Sequence, residues 1–154
     1  MPVLKSVWLL FLLAAPLVSC SPRAALTPQA AFHGLRSAFR YSDASSLEKQ
    51  LSRESVNRIR RMTALFSRMD ERQLESLSKK FGVPAAKLRS LSVRDYCALS
   101  LAVGRDKSAI GAATRYEIVG VHRKGRRAVV RVENGMELAF VKEGPYWKFD
   151  MDGL

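Results

Sequence analysis

Two thiols, one cluster of four cations and a few carboxylates are the groups in this 154-residue chain whose types could do chemistry. Cys20 closes the stretch Leu17-Val18-Ser19-Cys20 at the end of an apolar run, where its sulfur is a site for alkylation. Cys97 stands among Tyr96, Ala98, Leu99 and Leu101 and reads as a small buried apolar residue. A reactive thiolate would want a neighbouring cation or a helix N-terminus, and Arg94 is the nearest cation in sequence. Arg123, Lys124, Arg126 and Arg127 crowd around Gly125. Two readings of that cluster stand: a solvated turn, or a site for phosphate or carboxylate groups, which the guanidinium fork grips with two hydrogen bonds. For acid–base work the candidates are Glu117, Asp95 and Tyr96, single groups without a partner constellation. His33 has no second ligand at metal spacing, so no metal or cofactor site is expected.

The elements around these groups set their use. Val7 through Val18 is apolar throughout, broken only by Pro16, and follows a short start whose one basic side chain is Lys5. A run of this length falls short of the roughly 20 residues that span a bilayer and matches the centre of an export signal. Its ending resembles the bacterial lipoprotein lipobox, with Leu17, Val18, Ser19 and Cys20 in all four places. The resemblance implies a diacylglyceryl thioether on Cys20, cleavage before it, and a cell-envelope location with residues 20–26 as a short tether. Ser21, in place of Asp, implies the periplasmic face of the outer membrane in a Gram-negative cell. Unlipidated secretion and an uncleaved anchor are the other outcomes of such a segment. With Cys20 committed to lipid, Cys97 has no disulfide partner.

The formal charge of +12 falls almost entirely after Cys20. In an exported chain it argues for anionic lipid or a carboxylate-bearing partner rather than nucleic acid, or simply for a well-solvated basic surface. Charged and apolar fractions are those of a folded chain, and the length suits one domain, expected over 27–154.

The first part of that domain reads as helical. Thr27-Pro28 is a helix start, followed by Phe32, Leu35 and Phe39 on one face. Asp43 caps a short segment with Leu47 and Leu51. A longer helix carries Val56, Ile59, Met62, Leu65, Phe66 and Met69 on one face, with Arg58, Arg60, Arg61 and Arg68 on the other. Asp70 caps a segment ended by Gly82 and Pro84. Ser92-Val93-Arg94-Asp95 opens a last helix, which Gly104 is expected to close.

After Thr114 the pattern alternates, predicting four antiparallel strands over 116–122, 128–133, 136–142 and 147–151. Matching apolar faces sets the register. A two-residue Lys124-Gly125 turn puts Val121 on Ala128 and Val119 on Val130. A three-residue Glu133-Asn134-Gly135 loop puts Val130 on Leu138 and Ala128 on Phe140. A four-residue Glu143–Tyr146 loop puts Phe140 on Phe149 and Leu138 on Met151. The inner face is then wholly apolar, with Glu117 at its rim. Ile118, Val129, Ala139 and Val141 fall on the outer face, which suits either a homodimer or protein-partner surface, or the ordinary composition of strands.

Helices followed by a meander ending in Val141-Lys142-Glu143-Gly144-Pro145-Tyr146-Trp147-Lys148-Phe149-Asp150 resemble the small lipoproteins of the nuclear-transport-factor-2-like superfamily. The resemblance implies an α+β cone in which a curved C-terminal antiparallel meander wraps helices and can enclose a pocket. A lipid-anchored domain binding a ligand or partner without catalysis is the expected function. A small pocket enzyme of isomerase or hydrolase type, and anionic-headgroup binding through the basic hairpin tip, are the alternatives.

Overall fold

The computed structural model describes residues 25–153, with side-chain environments throughout that range except at 103–107. The order of elements is α1 (Pro28–Tyr41), α2 (Ala44–Gln50), α3 (Arg53–Phe66), α4 (Glu71–Phe81), α5 (Ala85–Arg89), α6 (Val93–Lys107), α7 (Ala109–Ala113), then β1 (Ile118–Lys124), β2 (Arg127–Val132), β3 (Glu137–Glu143) and β4 (Tyr146–Phe149), with a closing 3-10 turn at Met151–Gly153. The fold is α+β, helices packed on a four-stranded antiparallel meander, and is consistent with a nuclear-transport-factor-2-like cone.

Local chemistry explains the helix starts. Thr27 Oγ1 accepts from the Ala30 N–H at 3.1 Å, with Pro28 in the first turn. Asp43 accepts from Ser46 N–H at 3.0 Å. Asp70 and Gln73 form a reciprocal capping box, and Ser92 and Asp95 form another. Each such cap is worth about 1 kcal/mol. Three helical expectations need correction. α6 runs through Gly104 to Lys107, because a glycine costs only about 1 kcal/mol in a helix held by its neighbours. α3 ends at Phe66, so Met69 lies beyond it, and Leu65 is exposed rather than on the buried face. α5 and α7 are short segments that the sequence reading left out.

The β2–β3 and β3–β4 registers are as expected: Val130 faces Leu138, Ala128 faces Phe140, and Phe140 faces Phe149. Gly135, at φ +83, supplies the left-handed residue of the Glu133–Gly135 loop. The β1–β2 register differs. Val121 pairs with Val130 and Lys124 with Arg127, so the turn is Gly125-Arg126. Gly125 at φ +60, followed by a residue without positive φ, is the type II′ pattern whose twist suits a hairpin. A two-residue shift keeps side chains on their faces, but a bulge between Ile118 and Gly120 does not. Val119 is thereby extruded to 59% exposure, and Ile118 packs on the core in its place. β4 stops at Phe149, so Leu138 does not pair with Met151. The Met151 N–H donates instead to Ser55 Oγ at 2.9 Å, which turns the chain.

Two cores result. The main one joins Phe32, Leu35, Phe39, Leu47, Ile59 and Cys97 from the helices to Val130, Leu138, Phe140, Trp147 and Phe149 from the sheet. A smaller one, built on Leu74, Leu88 and Leu91, holds α4 and α5 together. Tyr96 packs against both.

Candidate functional site

Between these two cores lies a cavity of about 360 Å³. The main core contributes Phe39, Leu47, Leu51, Ile59 and Phe149, the smaller one contributes Phe66 and Leu88, and Phe81 at the end of α4 also lines it. α6 crosses the cavity wall with Tyr96, Cys97, Leu99 and Ser100, and Met62, Ser108, Ile110 and Met151 complete it. The lining is almost entirely carbon. This place follows from sequence spacing: Cys97 and Ser100 are three apart on α6, so one helical face supplies the wall.

Cys97 is the one thiol among the described residues, and it is buried. Burial pushes it up to about 11, with the Glu48 carboxylate adding to the effect, so it is protonated at neutral pH. Asp95 lies on the same helix but outside the lining. The Lys87 ammonium, 2.7 Å from Oδ1, and then the Ser92 hydroxyl hold its carboxyl down at about 2. It is a cap and an ion-pair partner, ionised at neutral pH. Glu117, expected at the rim of the inner face, is instead exposed outside β1, where Arg36 holds it at 2.8 Å. The three acid–base candidates are therefore not brought together. Among the described residues no three His, Cys, Asp or Glu side chains cluster as a metal site would require. His33 is exposed, its ring edge-on to Phe32.

The basic residues occupy the tip of the first hairpin. Arg123 and Lys124 end β1, Arg126 sits in the turn, and Arg127 begins β2. They share one end of the sheet but not one point. The Arg123 guanidinium lies 5.0 Å over the Trp147 ring, and Arg126 donates from Nε and Nη2 to the Lys142 carbonyl at 3.1 and 2.9 Å. On the outer face of the sheet, Ala139 is covered by the C-terminal turn, while Val129 and Val141 are half-buried. Leu17, Val18, Ser19 and Cys20 lie outside the described residues, as does the tether up to residue 24. Among the described residues no helix is long and apolar enough to cross a membrane.

No known family, curated protein or solved structure matches this chain.

The place and lining of the cavity, and Arg36, are what sequence reasoning missed. For Arg36 a signal existed, since it sits directly beside Leu35 on the apolar side of α1.

Proposed function

We propose that the chain is a lipid-anchored envelope protein whose nuclear-transport-factor-2-like domain holds an apolar ligand without converting it. The cavity between the two cores carries this reading. Its volume falls in the range of small-molecule pockets, about 300–1,000 Å³. Apolar walls reward a molecule that leaves water and offer a polar one only a few hydroxyl groups. The lining's thiol is protonated at neutral pH, and the carboxylates lie elsewhere, so binding rather than catalysis fits the arrangement. The anchor is supported by Leu17-Val18-Ser19-Cys20 after its apolar run, and the family by the helix-then-meander order and the Val141–Asp150 hairpin. In a Gram-negative cell Ser21 favours the periplasmic face of the outer membrane.

Titration with cis-parinaric acid, a fluorescent fatty acid, tests the cavity. Saturable one-to-one binding is expected, weakened at least tenfold by Ser100→Phe and unchanged by Tyr41→Ser at an exposed residue outside the lining. Absence of saturable binding, or equal binding by a folded Ser100→Phe variant, would refute the reading.

A further inference from the structure

The opposite feature of the molecule, its basic sheet end, gathers several independent elements. Lys124 and Arg127 stand directly opposite each other on the sheet face turned away from the helices. Like charges so placed repel, and among the described residues no ion pair joins either head group to a carboxylate. Arg123, braced on Trp147, and Arg126, braced on the Lys142 carbonyl, flank them. The Lys142 N–H donates to the Arg126 carbonyl at 2.8 Å, which brings the turn between β3 and β4 to the same end. That turn presents Tyr146, 41% exposed. The Trp147 N–H donates to the Ala25 carbonyl at 2.7 Å, so the segment that leads back to Cys20 joins the domain here, with Leu26 61% exposed beside it. Four residues lie between Cys20 and Ala25, so the five steps reach at most roughly 17 Å when extended.

We infer that this end of the sheet is a membrane-docking surface for bilayers containing anionic phosphate headgroups. Arg123, Lys124, Arg126 and Arg127 meet the phosphates, and Tyr146 and Leu26 enter the headgroup layer. The composition is what an interface selects: cations for anionic lipid, an amphipathic ring, and an apolar side chain at the point of attachment. A lipid chain on Cys20 and a basic patch a few residues away act as two signals on one surface. The inference draws its geometry from the anchor reading and is independent of the cavity. It fixes which way the domain faces: sheet end down, with the tether short enough to hold it there.

The test uses the chain from Cys20 onward carrying Cys20→Ser, so no lipid contributes. Every core contact lies within residues 25–151, so this chain keeps its fold, verified by circular dichroism and melting temperature. Partition is measured on phosphatidylcholine vesicles with and without phosphatidylglycerol. Binding is expected only with phosphatidylglycerol, weakened by salt and not displaced by inorganic phosphate. Each cation near an anionic surface is worth roughly fivefold in partition, so Lys124→Gln with Arg127→Gln should lose about 20-fold. Arg60→Gln with Arg68→Gln, of equal charge but on α3 and just beyond it, should lose little. Equal binding to both vesicles, no binding, displacement by phosphate, or equal losses from the two double variants would overturn the inference. Because the sulfur is absent, none of these outcomes depends on acylation, which mass spectrometry of the wild-type chain decides separately.

Discussion

Arg36 of α1 donates from Nη1 to Glu117 Oε1 at 2.8 Å while its Nη2 donates to the Tyr116 carbonyl. Its guanidinium also lies 5.0 Å over the Phe32 ring, and its side chain is only 13% exposed. One side chain thus ties the first helix to the residues that lead into the first strand. Arg36→Ala should cost roughly 2–3 kcal/mol in urea unfolding, since it removes packing and leaves the Tyr116 carbonyl without this donor. Glu117→Gln should cost under about 1 kcal/mol, because the carboxylate is solvated. Equal losses would mean that the ion pair, rather than the burial of Arg36, holds the joint.

Cys97 should resist iodoacetamide in the native chain at neutral pH and react once the chain is unfolded in urea. The sign of its pH linkage follows from the raised pKa. The unfolded thiol loses its proton near its ordinary value of 9.0, and the folded one only at about 11. Stability is therefore untouched below the first value and falls as pH rises through the window between them. Cys97→Ala should flatten that alkaline decline; rapid labelling of native protein would contradict the buried, protonated thiol.

Asp95 works in the opposite direction. Its folded pKa, about 2, lies below the ordinary 3.8, so its contribution is present above that ordinary value and is lost as pH falls towards 2. Melting temperatures taken across that acid range should fall less steeply for Asp95→Asn than for wild type. A parallel acid limb in the two proteins would show that the cap and the Lys87 pair contribute nothing to the linkage.

Gly135 and Gly120 make a controlled pair. Open space surrounds a Cβ built at either, but only Gly135 has a positive φ. Gly135→Ala should cost about 1–2 kcal/mol for forcing an L side chain into the left-handed region. Gly120→Ala should be close to neutral. Chemical denaturation of both variants separates conformational strain from crowding.

How far the sequence predicts this molecule depends on how local the deciding interaction is. The caps at Thr27, Asp43, Asp70 and Ser92 were legible because donor and acceptor lie within three residues. The pairing of Ala128 with Phe140 was legible because it sets apolar residues against apolar residues on the inner face. The bulge at Val119 was not, since Ile118-Val119-Gly120-Val121 offers an apolar branched residue in either phase. The cavity was least legible of all. It exists because Phe66, packed against the smaller core, does not close on Phe149, and no local pattern encodes a distance that is not closed. The basic tip was visible as composition, whereas its company with Ala25 and Tyr146 depends on how the two hairpins are joined.

The two margins of the sheet are finished differently. β4 is sealed by its own chain: the Ala25 carbonyl accepts from Trp147, and the Ser52 N–H donates to the Phe149 carbonyl at 2.8 Å. Among the described residues β1 has no strand beyond it. Backbone groups along such a margin can template a neighbour's strand, and the hazard grows wherever molecules are concentrated in a plane. The kink at Val119 and the sequence His122-Arg123-Lys124 make this margin irregular and mutually repellent. Crowded copies of the domain would meet along β1 and fail to polymerise there. The residue that breaks the expected register thus also roughens the edge along which one copy could extend another.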